Sequence, residues 1–124
     1  MNSFYGRGNV GAEPVIRYTP EGVPVCNLRV MFDKNVRNEA GEFEGRGGVW
    51  FTVVCWRELA VQVSELVHKG VRVSVAGTLE DDSYQEKETG KTRFSAYVRA
   101  ADVSLCLARI ESVTWKQSAD GDDE

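Results

Sequence analysis

Cysteine, proline and histidine are scarce, and basic charge is not in excess. The 124 residues hold three cysteines, three prolines and one histidine. Cys26, Cys55 and Cys106 are odd in number, each lies in an apolar strand-like run, and no two share metal-ligand spacing. All three therefore read as small buried hydrophobes, and neither a metal nor a cofactor is implied. A Cys–His nucleophile needs one of them close to His68, and nothing in the spacing supports that. No catalytic residue is assigned. His68 reads as a solvated side chain near the end of a helix, beside Lys69. No apolar run approaches the length of a membrane span, and residues 1–8 carry no apolar signal-peptide core. A protein that stays in the cytosol, away from membranes, is the expectation.

The chain has 19 acidic against 15 basic groups, a net charge of −4. That balance argues against holding duplex DNA by field strength alone. Its distribution matters more than its sum. Asp120, Asp122, Asp123 and Glu124 are four of the 19, so residues 1–119 carry 15 acidic and 15 basic groups and are neutral. A neutral body can still carry a local basic groove.

Against this background two tryptophans stand out. Residues 49–56 read Val-Trp-Phe-Thr-Val-Val-Cys-Trp. Side chains on a strand alternate faces, so Trp50, Thr52, Val54 and Trp56 share one face. Val49, Phe51, Val53 and Cys55 form the other, which is apolar enough for a core. Two indoles opposite a ready-made core make a flat platform, and bases stack on such platforms. The competing expectation is a strand buried on both faces.

The rest of the chain alternates in the same way. Residues 3–10 are weakly strand-like. Residues 11–24 hold all three prolines and read as a turn-rich connection. Residues 25–32 set Cys26, Leu28, Val30 and Phe32 against Val25, Asn27, Arg29 and Met31, a half-buried strand. Residues 33–48 are polar and glycine-bearing and read as a long flexible connection. Residues 57–69 place Leu59, Val63, Leu66 and Val67 at helical spacing, with Gly70 as the C-terminal stop. Residues 71–79 alternate through Val71, Val73, Val75 and Gly77. Residues 80–91 form a charged hairpin loop turning at Glu88-Thr89-Gly90. Residues 92–107 form a last strand region with Phe94, Ala96, Val98, Val103, Leu105 and Leu107. The order is three strands, a helix, two strands. It predicts an all-β, five-stranded OB-fold Greek-key barrel with one helix between strands 3 and 4. Residues 1–110 make the barrel domain, and residues 111–124 a short, acidic, disordered tail.

At this point the sequence resembles the bacterial single-stranded DNA-binding protein family. Gly8-Asn9-Val10, Glu13-Pro14, Arg17-Tyr18 and Pro20-Glu21-Gly22 resemble its opening signature. Val25-Cys26-Asn27-Leu28 resembles its next strand. Cys55-Trp56-Arg57-Glu58 resembles the strand-to-helix junction of actinobacterial members. Lys69-Gly70-Val71 through Gly77-Thr78-Leu79 resembles the stretch that follows. The resemblance runs from about residue 2 to residue 107. It implies an OB fold, a homotetramer and sequence-independent binding of single-stranded DNA in replication, recombination or repair. It also implies a cytoplasmic, nucleoid-associated protein without catalysis.

The resemblance carries base-stacking roles to Trp50, Trp56 and Tyr84. A fourth aromatic position falls near Asn35-Val36, and neither residue is aromatic. Three further departures follow. The usually basic strand after Leu79 reads Glu80-Asp81-Asp82, Thr52 stands where an Arg is common, and the Pro-Phe tip is absent from the acidic end. A mobile-element, phage or paralogous form fits these departures, with recruitment of replication or repair enzymes through that tip in question. Phosphate contacts are expected from Arg37, Arg46, Lys69 and Arg93 first, then from Arg17, Arg29, Lys34 and Arg72. Glu80-Asp81-Asp82 reads as a solvated acidic loop rather than a metal site. The alternative function is an OB-fold interaction module of a replication or primosome assembly with weak DNA binding.

Overall fold

The computed structural model describes residues 2–37, 39–41 and 43–117; the side chains of 35–37 and 43–47 lie outside the description. Among the described residues there are eight strands and one helix: β1 (Asn2–Val10), β2 (Val15–Tyr18), β3 (Pro24–Arg37), β4 (Phe43–Trp56), α1 (Arg57–Leu66), β5 (Arg72–Asp81), β6 (Tyr84–Gln85), β7 (Thr92–Arg93) and β8 (Ala96–Leu105). The main sheet runs β1-β5-β8-β4-β3-β2, and β1 also pairs with β3. That second pairing closes β1, β3, β4, β5 and β8 into a five-stranded barrel with no free edge among them. Every barrel pairing is antiparallel except β4 with β8. The helix falls between the third and fourth barrel strands, as the sequence order requires.

The core follows from strand alternation. Leu28, Val30, Val53, Cys55, Val73, Val75 and Val98 have no exposed surface. Each fully buried valine or leucine contributes about 1.5–3 kcal/mol over an exposed one. Phe4, Phe32 and Phe51 add an edge-on aromatic cluster, with Phe4 and Phe32 centroids 4.9 Å apart. Helix α1 covers this core with Ala60 and Val63, followed by Val67 just past its end, a spacing of three and four residues. Leu66, expected on that stripe, is exposed, and Ala60 takes the buried place. The helix stops at Leu66, with Val67 as its cap. Gly70 instead serves a left-handed turn into β5, at φ +91°.

Three connections differ from the sequence reading. The turn-rich residues 11–24 contain β2, which pairs with β3 at Ile16↔Cys26. Residues 33–48 are not a long loop. The β3–β4 ladder continues to Arg37↔Phe43, with an irregularity between Asp33 and Asn35. Their sequence carries no apolar alternation to read. Phe94, expected on a strand face, lies between β7 and β8 and is largely exposed. Residues 118–124, which include the acidic tip, lie outside the described residues.

Gly77 has a steric reason. The β5–β8 register shifts between Ala76 and Gly77, and a Cβ at Gly77 would stand 2.0 Å from the Arg99 carbonyl oxygen. Only a residue without a side chain lets β8 approach that closely.

The cysteines divide by burial. Cys26 and Cys55 are fully buried and Cys106 is only partly so. Burial raises the Cys26 thiol, and pushes that of Cys55 up to about 12. A thiol reagent at mildly alkaline pH is expected to modify Cys106 alone in the native protein, and all three cysteines after denaturation. Rapid modification of three native thiols would show that the valine core is not closed.

Candidate nucleic-acid interface

The outer face of β3, β4 and β8 holds a shallow groove of about 460 Å³. Its origin is the same alternation that builds the core. On β4, Val53 and Cys55 point inward, so Thr52, Val54 and Trp56 point out. Trp50 and Trp56 are 45% and 36% exposed, so the indoles cap this face rather than filling the core. On β3, Asn27 faces Val54 and Arg29 faces Thr52 across the ladder. On β8, Val98 is buried and the next residue, Arg99, turns out beside Val54 through the parallel pairing.

Each indole carries an arginine on its face. The Arg29 guanidinium lies 5.6 Å from the Trp50 ring centroid and that of Arg99 lies 5.7 Å from Trp56. Such pairs contribute about 0.5–1 kcal/mol at exposed sites. Arg29 also donates from Nη1 to Thr52 Oγ1 at 3.1 Å. Arg17 completes the groove's cations. Asn27 Oδ1 is buried there without a hydrogen-bond partner among the described residues. Asp82 is the carboxylate on the lining.

Trp50 is held from a second side. A Cβ built on Gly11 would stand 2.5 Å from two ring carbons of the indole. The ring therefore rests on bare backbone, which is fixed in turn by the Gly11 N–H donating to the Arg29 carbonyl at 2.8 Å. Trp56 is set by a chain reversal. It is the last residue of β4 and the N-cap of α1, and Arg57 after it adopts φ +61°. That left-handed conformation is costly for a residue with a side chain.

The other expected residues go elsewhere. Tyr84 is exposed on β6, two residues beyond Asp82, and does not line the groove. Arg93 pairs with Glu86 at 2.6 Å on the same small hairpin. Arg72 donates from Nη1 to Asp33 Oδ1 at 3.1 Å, with a second contact between Nη2 and Oδ2. Lys69 is exposed past the helix, its backbone N–H donating to Glu13 Oε2 at 2.9 Å. Lys34 is exposed on the outer part of β3. The side chains of Arg37 and Arg46 lie outside the described residues, and so do those at Asn35 and Val36. His68 is exposed but not merely solvated, since Nδ1 lies 3.2 Å from Glu13 Oε1. Glu80, Asp81 and Asp82 do not act together. Glu80 accepts from Thr78, Asp81 caps the Ser83 N–H, and only Asp82 reaches the groove.

Arg99 was missed in the sequence. Its position one residue after buried Val98 marks it as outward. Its partnership with Trp56 needs the β4–β8 register, which joins segments 45 residues apart (Val54 and Arg99).

Among the described residues there is no cluster of three metal-binding side chains, and no helix is long and apolar enough to cross a membrane. The sequence profile described as the single-strand binding protein family matches residues 1–106. The chain is similar to a single-stranded DNA-binding protein of Corynebacterium glutamicum, 35% identical over 107 residues, 84% of this chain and 47% of that protein. A single-stranded DNA-binding protein of Rhizobium meliloti is 36% identical over 92 residues, 73% of this chain and 52% of the relative. The chain thus spans about half the length of these relatives. Among solved structures, the small single-stranded DNA-binding protein from Streptomyces coelicolor superposes with a TM-score of 0.71 at 27% identity. That match covers 86% of this chain and 95% of the other.

Two outcomes follow from this geometry. Gly11→Ala is expected to leave the melting temperature nearly unchanged, because the atoms it meets are the far end of a half-exposed side chain. It should displace the indole, and a lower tryptophan fluorescence anisotropy together with a shifted emission would register that. An unchanged spectrum would mean that Gly11 does not position Trp50.

Asp33→Asn tests the second. The Arg72 hydrogen bond holds the Asp33 carboxyl below its usual range. A lowered folded pKa stabilises the fold above the unfolded pKa, and the benefit is lost as pH falls through the folded value. The variant's deficit in melting temperature should be largest above about pH 4 and should vanish in stronger acid. A deficit independent of pH would rule the ion pair out as its cause.

Proposed function

The chain belongs to the single-strand binding protein family, and from that premise we propose that it binds single-stranded DNA without catalysis, by stacking bases on Trp50 and Trp56. The observation that carries this reading is the pair of outward indoles, each with a guanidinium on one face, at either end of one strand face. Trp50 and Trp56 lie six residues apart on β4, about 20 Å at strand rise. They are too far apart for neighbouring bases. A strand running along β4 meets Trp50, then Arg29 with Thr52, then Arg99 beside Val54, then Trp56. Bases stack at the two ends, and the phosphates between them meet Arg29 and Arg99, with Arg17 alongside.

Stacking supplies affinity without choosing a base, at roughly 1–3 kcal/mol per base. The cations supply the rest, and their small number fits a chain of net charge −4. In this reading residues 1–110 are the binding domain and residues 111–124 an acidic extension. The protein works in the cytoplasm near the nucleoid, in replication, recombination or repair, as the homotetramer that membership implies. Tyr84 and the cations of the β3–β4 and β6–β7 hairpins extend the contact on longer strands.

The test uses tryptophan quenching. Trp115 is 85% exposed and lies outside the groove, so a Trp115→Phe background isolates the two platform indoles. Titration with oligo-dT at low salt is expected to quench that signal, and duplex of equal length should not. Trp50→Ala and Trp56→Ala should each weaken binding by roughly 1–3 kcal/mol while the fold stays intact. Arg99→Ala should flatten the slope of log affinity against log salt by about 0.7. An unquenched signal at saturating oligo-dT would remove the stacking mechanism and favour the interaction-module alternative.

A further inference from the structure

A second recess lies to the side of Trp50, across β3 and β1, where the register runs from Trp50 through Met31 and Asn9 to Arg72. It measures about 490 Å³, and its lining includes Asn9, Lys69, Arg72, Cys106, Arg109 and Ile110. It is joined to the Trp50 platform through the backbone. The Val10 N–H donates to Val71 O at 2.9 Å, the Gly70 N–H donates to Val10 O at 2.8 Å, and both Gly70 and Val71 line the recess. The next residue, Gly11, is the one that supports the Trp50 ring. A strand that leaves Trp50 across β3 and β1 therefore runs toward this recess.

The recess has the charge for one phosphodiester. Lys69, Arg72 and Arg109 supply three positive charges. Among the described residues, the carboxylates that contact these residues are Asp33, on the Arg72 guanidinium, and Glu13, which meets the Lys69 backbone N–H rather than its ammonium. Lys69 keeps its charge, and so does Arg109. Its backbone supports the same assignment. Arg109 adopts φ +73° in the turn closed by the Ile110 N–H donating to Leu107 O at 3.0 Å. Glycine takes that conformation without penalty, whereas an L-residue is strained. Strain of this kind persists where a side chain has other work. The apolar side of the recess, from Val71, Ala108 and Ile110, gives the sugar a surface to lie on.

We propose that this recess is a phosphate subsite for the same DNA strand, with Arg109 and Lys69 as its contacts and Arg72 drawn in from Asp33. The proposal rests on the single-strand reading of the groove and extends its track past Trp50. Arg109 is absent from the residues expected from sequence, because it follows the last strand and shares no alternation pattern with the groove.

Strand length separates the two ideas. The wild-type chain, Arg109→Gly and Arg109→Lys are titrated with oligo-dT of about four and about twelve nucleotides, lengths within the range of sites on one OB barrel. Arg109→Gly is expected to weaken the longer strand about tenfold and to flatten its salt slope by about 0.7. It should leave the short strand unchanged. Its melting temperature should rise as the left-handed strain is relieved, so the loss cannot come from unfolding. Arg109→Lys, which keeps the charge, should retain most of the affinity for the longer strand. An equal loss at both lengths, no loss at the longer length, or a lysine variant as weak as the glycine variant would overturn the subsite. Failure of the wild-type chain to bind either length would instead overturn the function proposed for the groove.

Discussion

A strand has only two faces, and β4 uses that fact to place the whole site. Val53 and Cys55 are committed to a closed barrel with no exposed surface left. Once they point inward, Thr52, Val54 and Trp56 have nowhere to go but out, and Trp50 follows the same parity. A slip of one residue would bury the indoles and expose the valines, at the cost of several buried apolar side chains. The barrel's stability therefore enforces the platform. The same rule on β3 turns Asn27 and Arg29 outward opposite Leu28 and Val30. On β8 it turns Arg99 outward beside Val98. Three strands, each obeying period two, put an indole pair and two guanidinium groups on one surface.

What was legible in the sequence followed this division. The barrel order, the inward valines and the outward tryptophans could be read because a core lay under one face and left a period-two trace. Where that trace is missing, strands read as loop. The arms of the β3–β4 hairpin beyond Phe32 and Gly48 are paired strands, yet their sequence, with Val36 and Phe43 as its apolar residues, has no period-two pattern. The short β2 was hidden among three prolines, because its four residues gain order from pairing with β3 rather than from their own pattern. Contacts between distant segments were invisible for a different reason. Arg99 over Trp56, Asp33 on Arg72 and Glu13 at His68 and Lys69 each join residues tens of positions apart, and only the closed register brings them together.

Charge sorting explains how an acidic chain can present a basic surface. Outside the groove, carboxylates take up cations in pairs. Glu86 holds Arg93, and Asp33 holds Arg72. Exposed pairs of this kind add little to stability. Their effect is to take those cations out of the field around the groove. Within the groove, Arg17, Arg29 and Arg99 face a single lining carboxylate, Asp82. Net charge counts every group once, whereas an approaching phosphate responds to the groups within about a Debye length, roughly 8–10 Å. The sum of −4 therefore describes the long-range field and not the surface of the groove.

The arginines over the indoles have a consequence beyond charge. An exposed tryptophan on a strand would normally sample several rotamers, and a stacked base would have to freeze them at an entropic cost. Here Trp50 is bounded by Arg29 on its face and by the Gly11 backbone at its edge, and Trp56 is bounded by Arg99 and by the reversal at Arg57. Each ring is thus held on one face by a guanidinium while remaining partly exposed. On the proposed reading the same guanidinium would also meet a phosphate, so that one residue both orients the aromatic surface and contacts the backbone of the strand stacked on it. A site that worked this way would need few cations, because each one would serve the base and the phosphate at the same time.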